Sequence, residues 1–99
     1  MERVEEEILL FLLKNGAVKD KYLVTYLLKK GFSKYEIMNA LEDLYFYGFI
    51  LKRPTVKRNE NVYCLTEKGK MEAELLEEGV DPYANYKFLK KRRGLRIRE

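Results

Sequence analysis

Apolar positions along this chain follow a helical period up to one break, and the break divides it. Val4, Ile8, Phe11 and Leu12 recur at i, i+4, i+7 and i+8, which places them on one side of a helix over about residues 2–14. Leu9, Leu10 and Leu13 carry that apolar surface well past half a turn, and Asn15-Gly16 supplies a C-terminal stop. A helix this apolar lies deep in a core or meets a second chain. A second helix is predicted over about residues 20–30, with Leu23, Tyr26 and Leu27 inward and Gly31 ending it. The best-marked helix start is "FSKYEI" (32–37). Ser33, the only serine, is its N-cap, Glu36 completes a capping box, and Phe32 and Ile37 bracket the pair as a hydrophobic staple. This third helix runs to about residue 47, buries Ile37, Ala40, Leu41 and Leu44, and stops at Gly48.

Beyond Gly48 the helical period disappears. "FILKR" (49–53) reads as a strand, and Pro54 confines it to an edge or marks its end. "TVKRNEN" (55–61) makes a turn-rich tip and "VYCL" (62–65) returns as a second strand. Thr66 then caps a fourth helix, "EKGKMEAELLEE", ended by Gly79. Asp81-Pro82 reads as an N-cap with proline at the first helical position. It opens a fifth helix at "YANYKFLKKRR" (83–93), whose cations sit at the end that the helix dipole favours. The predicted fold is mainly α with a small two-stranded β wing, a winged helix-turn-helix. Its domain spans residues 1–80, and a C-terminal helix with a basic tail occupies 81–99.

Charge gives the ribbon a purpose. The chain carries +4 overall, but residues 87–99 hold seven cations against one acid, a net of +6. Residues 1–86, with thirteen cations and fifteen acids, hold the remaining −2. A mildly acidic body with a strongly basic tail suits contact with a polyanion. Lys52, Arg53, Lys57 and Arg58 are the wing cations expected to grip phosphates beside the groove that the third helix enters. On that helix Tyr35, Met38, Asn39, Glu42 and Phe46 point away from the apolar face. Ser33 and Lys34 lie at its N-terminal turn, the end that meets base edges. Asn39 suits bidentate pairing with adenine, Glu42 suits a cytosine amino group, and Tyr35 can stack on a sugar or reach a phosphate. In the tail, Lys90, Lys91, Arg92 and Arg93 project, and Arg96 and Arg98 form an arm for phosphates or a minor groove. Leu9, Leu10 and Leu13, with Tyr83, Tyr86 and Leu89, are the residues expected at a dimer interface.

Two segments also carry a resemblance. "GFSKYEIMNALEDLYFYGFI" followed by "VYCLTEKGK" resembles the MarR/PadR-type winged helix-turn-helix regulators of bacteria, archaea and archaeal viruses. Leu44, Gly48, Phe49 and Ile50 match the end of that type's recognition helix, and Tyr63, Leu65, Thr66 and Gly69 match the signature after its wing. The likeness covers roughly residues 18–78. It implies transcriptional control by dimers whose terminal helices form the interface. The second helix is about a turn longer than the MarR pattern, with residues 28–30 as the extra length. The chain is also short for the type, and no small-molecule ligand site is evident.

Other chemistry finds little support. Without histidine the usual general base and the nitrogen ligands of zinc or iron are missing. The single cysteine, Cys64, cannot form an intramolecular disulfide and suits a reducing cytoplasm. Glu5, Glu6 and Glu7 fan out around a helix and do not converge on a metal. There is no glycine-rich phosphate loop, and "ILLFLL" (8–13) is too short to cross a bilayer. The expectation is a cytoplasmic protein with no enzymatic activity, cofactor, metal or membrane partner. The scarcity of serine and the absence of glutamine, in a chain rich in Lys and Glu, hint at a hot habitat. The partners expected are double-stranded DNA and a second copy of the chain. Glu36, Glu42 and Asp43 put three carboxylates on the helix meant for DNA, and the capping box accounts only for Glu36. That keeps open a winged-helix adaptor docking a protein, with the less easily placed Tyr45, Phe46 and Tyr47 as its patch. Single-stranded RNA stacking on the many tyrosines is a third reading.

Overall fold

Side-chain caps from Ser33 and Thr66 mark the starts of two helices. A computed structural model describes residues 1–79, in the order α1 (Arg3–Asn15), β1 (Val18–Lys19), α2 (Asp20–Lys29), α3 (Lys34–Phe46), β2 (Ile50–Pro54), β3 (Asn61–Leu65) and α4 (Glu67–Glu77). The expected fifth helix and basic tail lie outside the described residues. The capping box of α3 forms as expected: Glu36 N–H donates to Ser33 Oγ at 3.0 Å, and Ser33 N–H donates to Glu36 Oε1 at 2.8 Å. α1 ends on Gly16, whose N–H makes the last helical bond to the Leu12 carbonyl at 2.8 Å and whose φ of 74° turns the chain out of the helix.

The core draws on nearly every element. Val4, Ile8, Leu9 and Leu12 of α1 pack with Leu23 and Leu27 of α2 and with Ile37, Ala40, Leu41 and Leu44 of α3. Ile50, Tyr63 and Ala73 close it from the sheet and α4. Leu9 is fully buried inside its own chain. That corrects its expected place at a dimer interface, because the buried stripe of α1 is rotated toward Leu9 and away from Phe11. Phe11 instead lies at the rim, stacked on Tyr26 with ring centroids 4.1 Å apart. The Tyr26 hydroxyl donates to Glu7 Oε1 at 3.3 Å.

The sheet holds one strand more than the two expected. Its order is β1-β3-β2, with both pairs antiparallel. Val18 pairs with Tyr63 and Lys19 with Val62, so the residues just before α2 fasten onto the returning strand of the wing. Pro54 is the last residue of edge strand β2 and faces Asn61, where its missing N–H costs the ladder little.

The start of α4 grips the junction between α3 and β2. Thr66 Oγ1 donates to the Gly48 carbonyl at 2.6 Å and accepts from Gly69 N–H at 3.0 Å. The Thr66 N–H reaches the Phe49 carbonyl at 3.1 Å. Lys68 Nζ donates to the Tyr47 carbonyl at 2.9 Å and lies 4.5 Å above the Phe49 ring. Gly69 is buried against this segment, and a Cβ there would overlap the Phe49 carbonyl oxygen. The Thr-x-x-Gly pattern is therefore a clamp: threonine ties the junction down and glycine lets α4 approach it closely.

Candidate nucleic-acid interface

Helical geometry divides α3 into four strips. Ile37, Ala40, Leu41 and Leu44 are buried, which leaves Tyr35, Asn39, Glu42 and Phe46 diametrically outward. Tyr35 and Phe46 are 77% and 79% exposed, so neither is required by the core. Met38 and Tyr45 fall on the flank nearest the wing, where with Leu41, Glu42, Lys52 and Tyr63 they line a hollow of about 130 Å³. Glu36 and Asp43 fall on the opposite flank, beside Glu2 and Arg3 at the start of α1. Two of the three carboxylates that weigh against DNA thus sit to one side. Only Glu42 lies on the outward strip, and the Lys52 side chain borders the same hollow.

The register of the sheet separates the wing cations. Residues directly opposite in antiparallel strands share a face. Lys52, opposite Tyr63, therefore lies on the side of α3, while Arg53, opposite Val62, lies on the outer face. Lys19 pairs with the same Val62 from the other edge, which sets Lys19 and Arg53 in one row on that outer face. Lys19 was absent from the residues expected from the sequence, because a two-residue strand leaves no periodic trace. Cys64, a free and half-buried thiol, is on this outer face opposite Leu51.

The tip of the wing is built by hydrogen bonds. Thr55 N–H donates to the Glu60 carbonyl at 3.0 Å, and the Thr55 hydroxyl donates to Glu60 Oε1 at 2.6 Å. Lys57 N–H donates back to Thr55 Oγ1 at 3.1 Å. Asn59 takes a φ of 61°, a left-handed conformation that asparagine tolerates better than most residues. At the foot of the wing, Asn61 N–H donates to Asp20 Oδ2 at 3.2 Å, and Lys19 Nζ lies 3.9 Å from Glu60 Oε2. Val56, Lys57, Arg58 and Asn59 are left fully presented to solvent. The Thr55 hydrogen bond, aided by the charges of Lys19, Lys57 and Lys21, holds the Glu60 carboxyl below its ordinary pKa against a smaller opposing effect of burial. Burial, reinforced by the negative charge of Asp20, pushes the Tyr63 phenol up.

Ser33, Lys34, Tyr35, Met38, Asn39 and Glu42 are all exposed on one helix, and Lys57 and Arg58 stand at the tip of the adjoining ribbon. Leu10 and Leu13 are half-buried on α1. Lys90, Lys91, Arg92, Arg93, Arg96, Arg98, Tyr83, Tyr86 and Leu89 lie outside the described residues.

A capped helix-turn-helix followed by a sheet that projects a basic hairpin defines a winged helix-turn-helix domain. No protein-family model and no curated protein sequence matches the chain. Among solved structures it is similar to the F-93 protein of the archaeal virus SSV1, with a TM-score of 0.67 and 26% identity, over 91% of this chain and 96% of that one. It is similar to PadR of Bacillus subtilis in complex with operator DNA, with a TM-score of 0.62 and 27% identity, over 81% of this chain and 50% of PadR. It shares its fold with ZitR of Lactococcus lactis, a zinc-responsive MarR family member, at a TM-score of 0.65 and 21% identity, over 96% of this chain and 60% of ZitR. The chain spans only part of the length of those two proteins. The likeness to winged-helix regulators of the MarR/PadR type, first carried by two short signatures, thus extends to the whole architecture.

Proposed function

We propose that this chain is a sequence-specific, double-stranded DNA-binding transcriptional regulator that acts as a homodimer. The observation that carries this reading is the outward strip of α3, free of core duties and framed on one side by a basic wing. The similarity to PadR, solved on operator DNA, supports it. α3 would enter the major groove through Ser33, Lys34, Tyr35, Met38, Asn39 and Glu42. Lys57 and Arg58 at the wing tip would take phosphates, with Lys52 and Arg53 reaching the backbone from opposite faces of the ribbon. Lys90, Lys91, Arg92, Arg93, Arg96 and Arg98 would add a phosphate-following arm. Leu10 and Leu13, with Tyr83, Tyr86 and Leu89, would form the dimer contact. Two-fold symmetry would then place the two recognition helices in successive major grooves of a pseudo-palindromic site. The protein would work in the cytoplasm without catalysing a reaction. The likeness to F-93 and the Lys/Glu-rich composition support an archaeal or archaeal-virus source in a hot habitat.

A second reading has its own observation. Tyr45, Phe46 and Tyr47 are all exposed at the end of α3, and the rings of Phe46 and Tyr47 meet edge to face at 5.1 Å. Such a cluster suits an adaptor that docks a protein.

Fluorescence anisotropy on mixed-sequence duplex DNA over a salt series separates the two readings. Log affinity should fall steeply with log salt. Alanine at Arg53, Lys57 and Arg58 should flatten the slope by about 0.9 for each phosphate left without its cation. A chain ending at Tyr86 should flatten it further. Absence of duplex binding by the full chain at low salt would overturn the regulator and bring the aromatic cluster forward.

A further inference from the structure

We infer that α3 selects a half-site centred on adjacent A·T pairs, with Met38 and Tyr35 against thymine methyl groups and Asn39 against adenine. The inference rests on the DNA-binding reading above and names what that surface would choose.

It follows from which side chains the fold sends outward and which it does not supply. Tyr35 is 77% exposed and Met38 48% exposed on the first turns of α3, the part of a recognition helix that approaches base edges. In the major groove the thymine methyl is the one apolar group on a base edge. A phenol ring and a thioether, exposed on the turn that leads up to Asn39, suit that group. Asn39 is itself exposed one turn beyond Tyr35, and its amide matches the N6 donor and N7 acceptor of adenine.

Guanine, by contrast, has a single candidate reader on α3. Arg or Lys paired to O6 and N7 is the usual guanine contact. Residues 34–46 contain no arginine, and their only lysine, Lys34, stands at the N-terminal end. Glu42, on the outward strip, accepts from the amino group of adenine or cytosine and repels the paired acceptors of guanine. That repulsion fixes the orientation of a pair rather than choosing A·T over C·G, so the choice of A·T rests on Asn39, Tyr35 and Met38. Glu36 and Asp43 lie toward α1, in a hollow that Tyr35 and Asn39 also border.

Selection by the full chain from a randomised duplex pool, followed by affinity on the recovered duplex and on its thymine-to-deoxyuridine copy, tests the inference. Deoxyuridine removes only the methyl group. The recovered half-sites should share contiguous A·T pairs. The deoxyuridine copy should bind more weakly by about fourfold for each methyl group in contact, the worth of one buried methyl-sized group. Met38→Ala should narrow the difference between the two duplexes to the share that Tyr35 contributes, and Asn39→Ala should lose its preference for adenine. Half-sites centred on G·C, or equal affinity for thymine and deoxyuridine, would overturn the inference. So would salt-dependent binding without any base preference, which leaves phosphate contact standing. No duplex retained at low salt would overturn the inference together with the regulator reading.

Discussion

Gly69→Ala sets two physical effects of opposite sign against each other. Gly69 is the third residue of α4 after its cap, Thr66. Helix propensity alone favours alanine there by about 1 kcal/mol. Packing opposes it. The new Cβ would overlap the Phe49 carbonyl oxygen and stand 2.9 Å from its carbon and 3.2 Å from Leu65 Cδ2. Two of these three atoms are backbone in a junction held by hydrogen bonds, so no rotamer change relieves the clash. α4 must back away, stretching the Thr66 contacts to Gly48 and Phe49 and the Lys68 contact to Tyr47. Overpacking of about 1–3 kcal/mol and about 1 kcal/mol for each weakened hydrogen bond outweigh the gain in propensity, leaving a net loss of about 2–4 kcal/mol. For a domain of this size that lowers Tm by about 10–30 °C. Thermal unfolding followed by far-UV circular dichroism measures it, with exposed Lys70→Ala on the same helix as the control expected within about 0.5 kcal/mol of the parent. A Gly69→Ala protein with unchanged or raised Tm would refute the close approach and return this glycine to a question of propensity.

Two further outcomes can be checked on the same protein. Ser33→Ala removes the N-cap of α3 and should destabilise by about 1 kcal/mol, read as a Tm about 4–8 °C lower. For Glu60 the folded carboxyl titrates below its unfolded value. Its contribution is thus present above the ordinary glutamate pKa and is lost as pH falls through the lower, folded one. The carboxyl-carbon shift of Glu60 should titrate below the ordinary glutamate value, and Thr55→Val should raise its midpoint by removing the largest cause. A midpoint indifferent to Thr55 would contradict the hydrogen bond.

Features coded within a few residues were legible from the sequence. The Ser33–Glu36 box, the Thr66 cap and the inward set Ile37, Ala40, Leu41 and Leu44 depend on spacing along a single helix, and the outward set of α3 follows as its complement. What escaped depends on partners distant in the chain. β1 has two residues, too few for any period, and exists because Val18 and Lys19 meet β3. Leu9 could not be told from Phe11 as a core residue, because α1 is apolar over so wide an arc that its neighbours decide the rotation. Alternation along β2 could have parted Lys52 from Arg53, but register was needed to say which of them faces α3. Helical spacing sets Glu36 and Asp43 to one side of α3, but that α1 begins beside them became visible only in the structure. Gly69 belonged to a recognised signature, yet its reason lay twenty residues away at Phe49.

Among the described residues β3 is the sole partner of both other strands, and it is the last of the three to be synthesised. A nascent chain that has emerged only as far as Glu60 holds the recognition helix, but neither β1 nor β2 has anything to pair with. The hairpin with β2 can close at once when residues 61–65 appear. Pairing with β1 must close a far longer loop, the slower kind of event. Birth order therefore makes the wing and the segment leading into α2 wait on the same short stretch of chain. A ribosome-bound fragment ending before Asn61 should show helical content without a protected sheet.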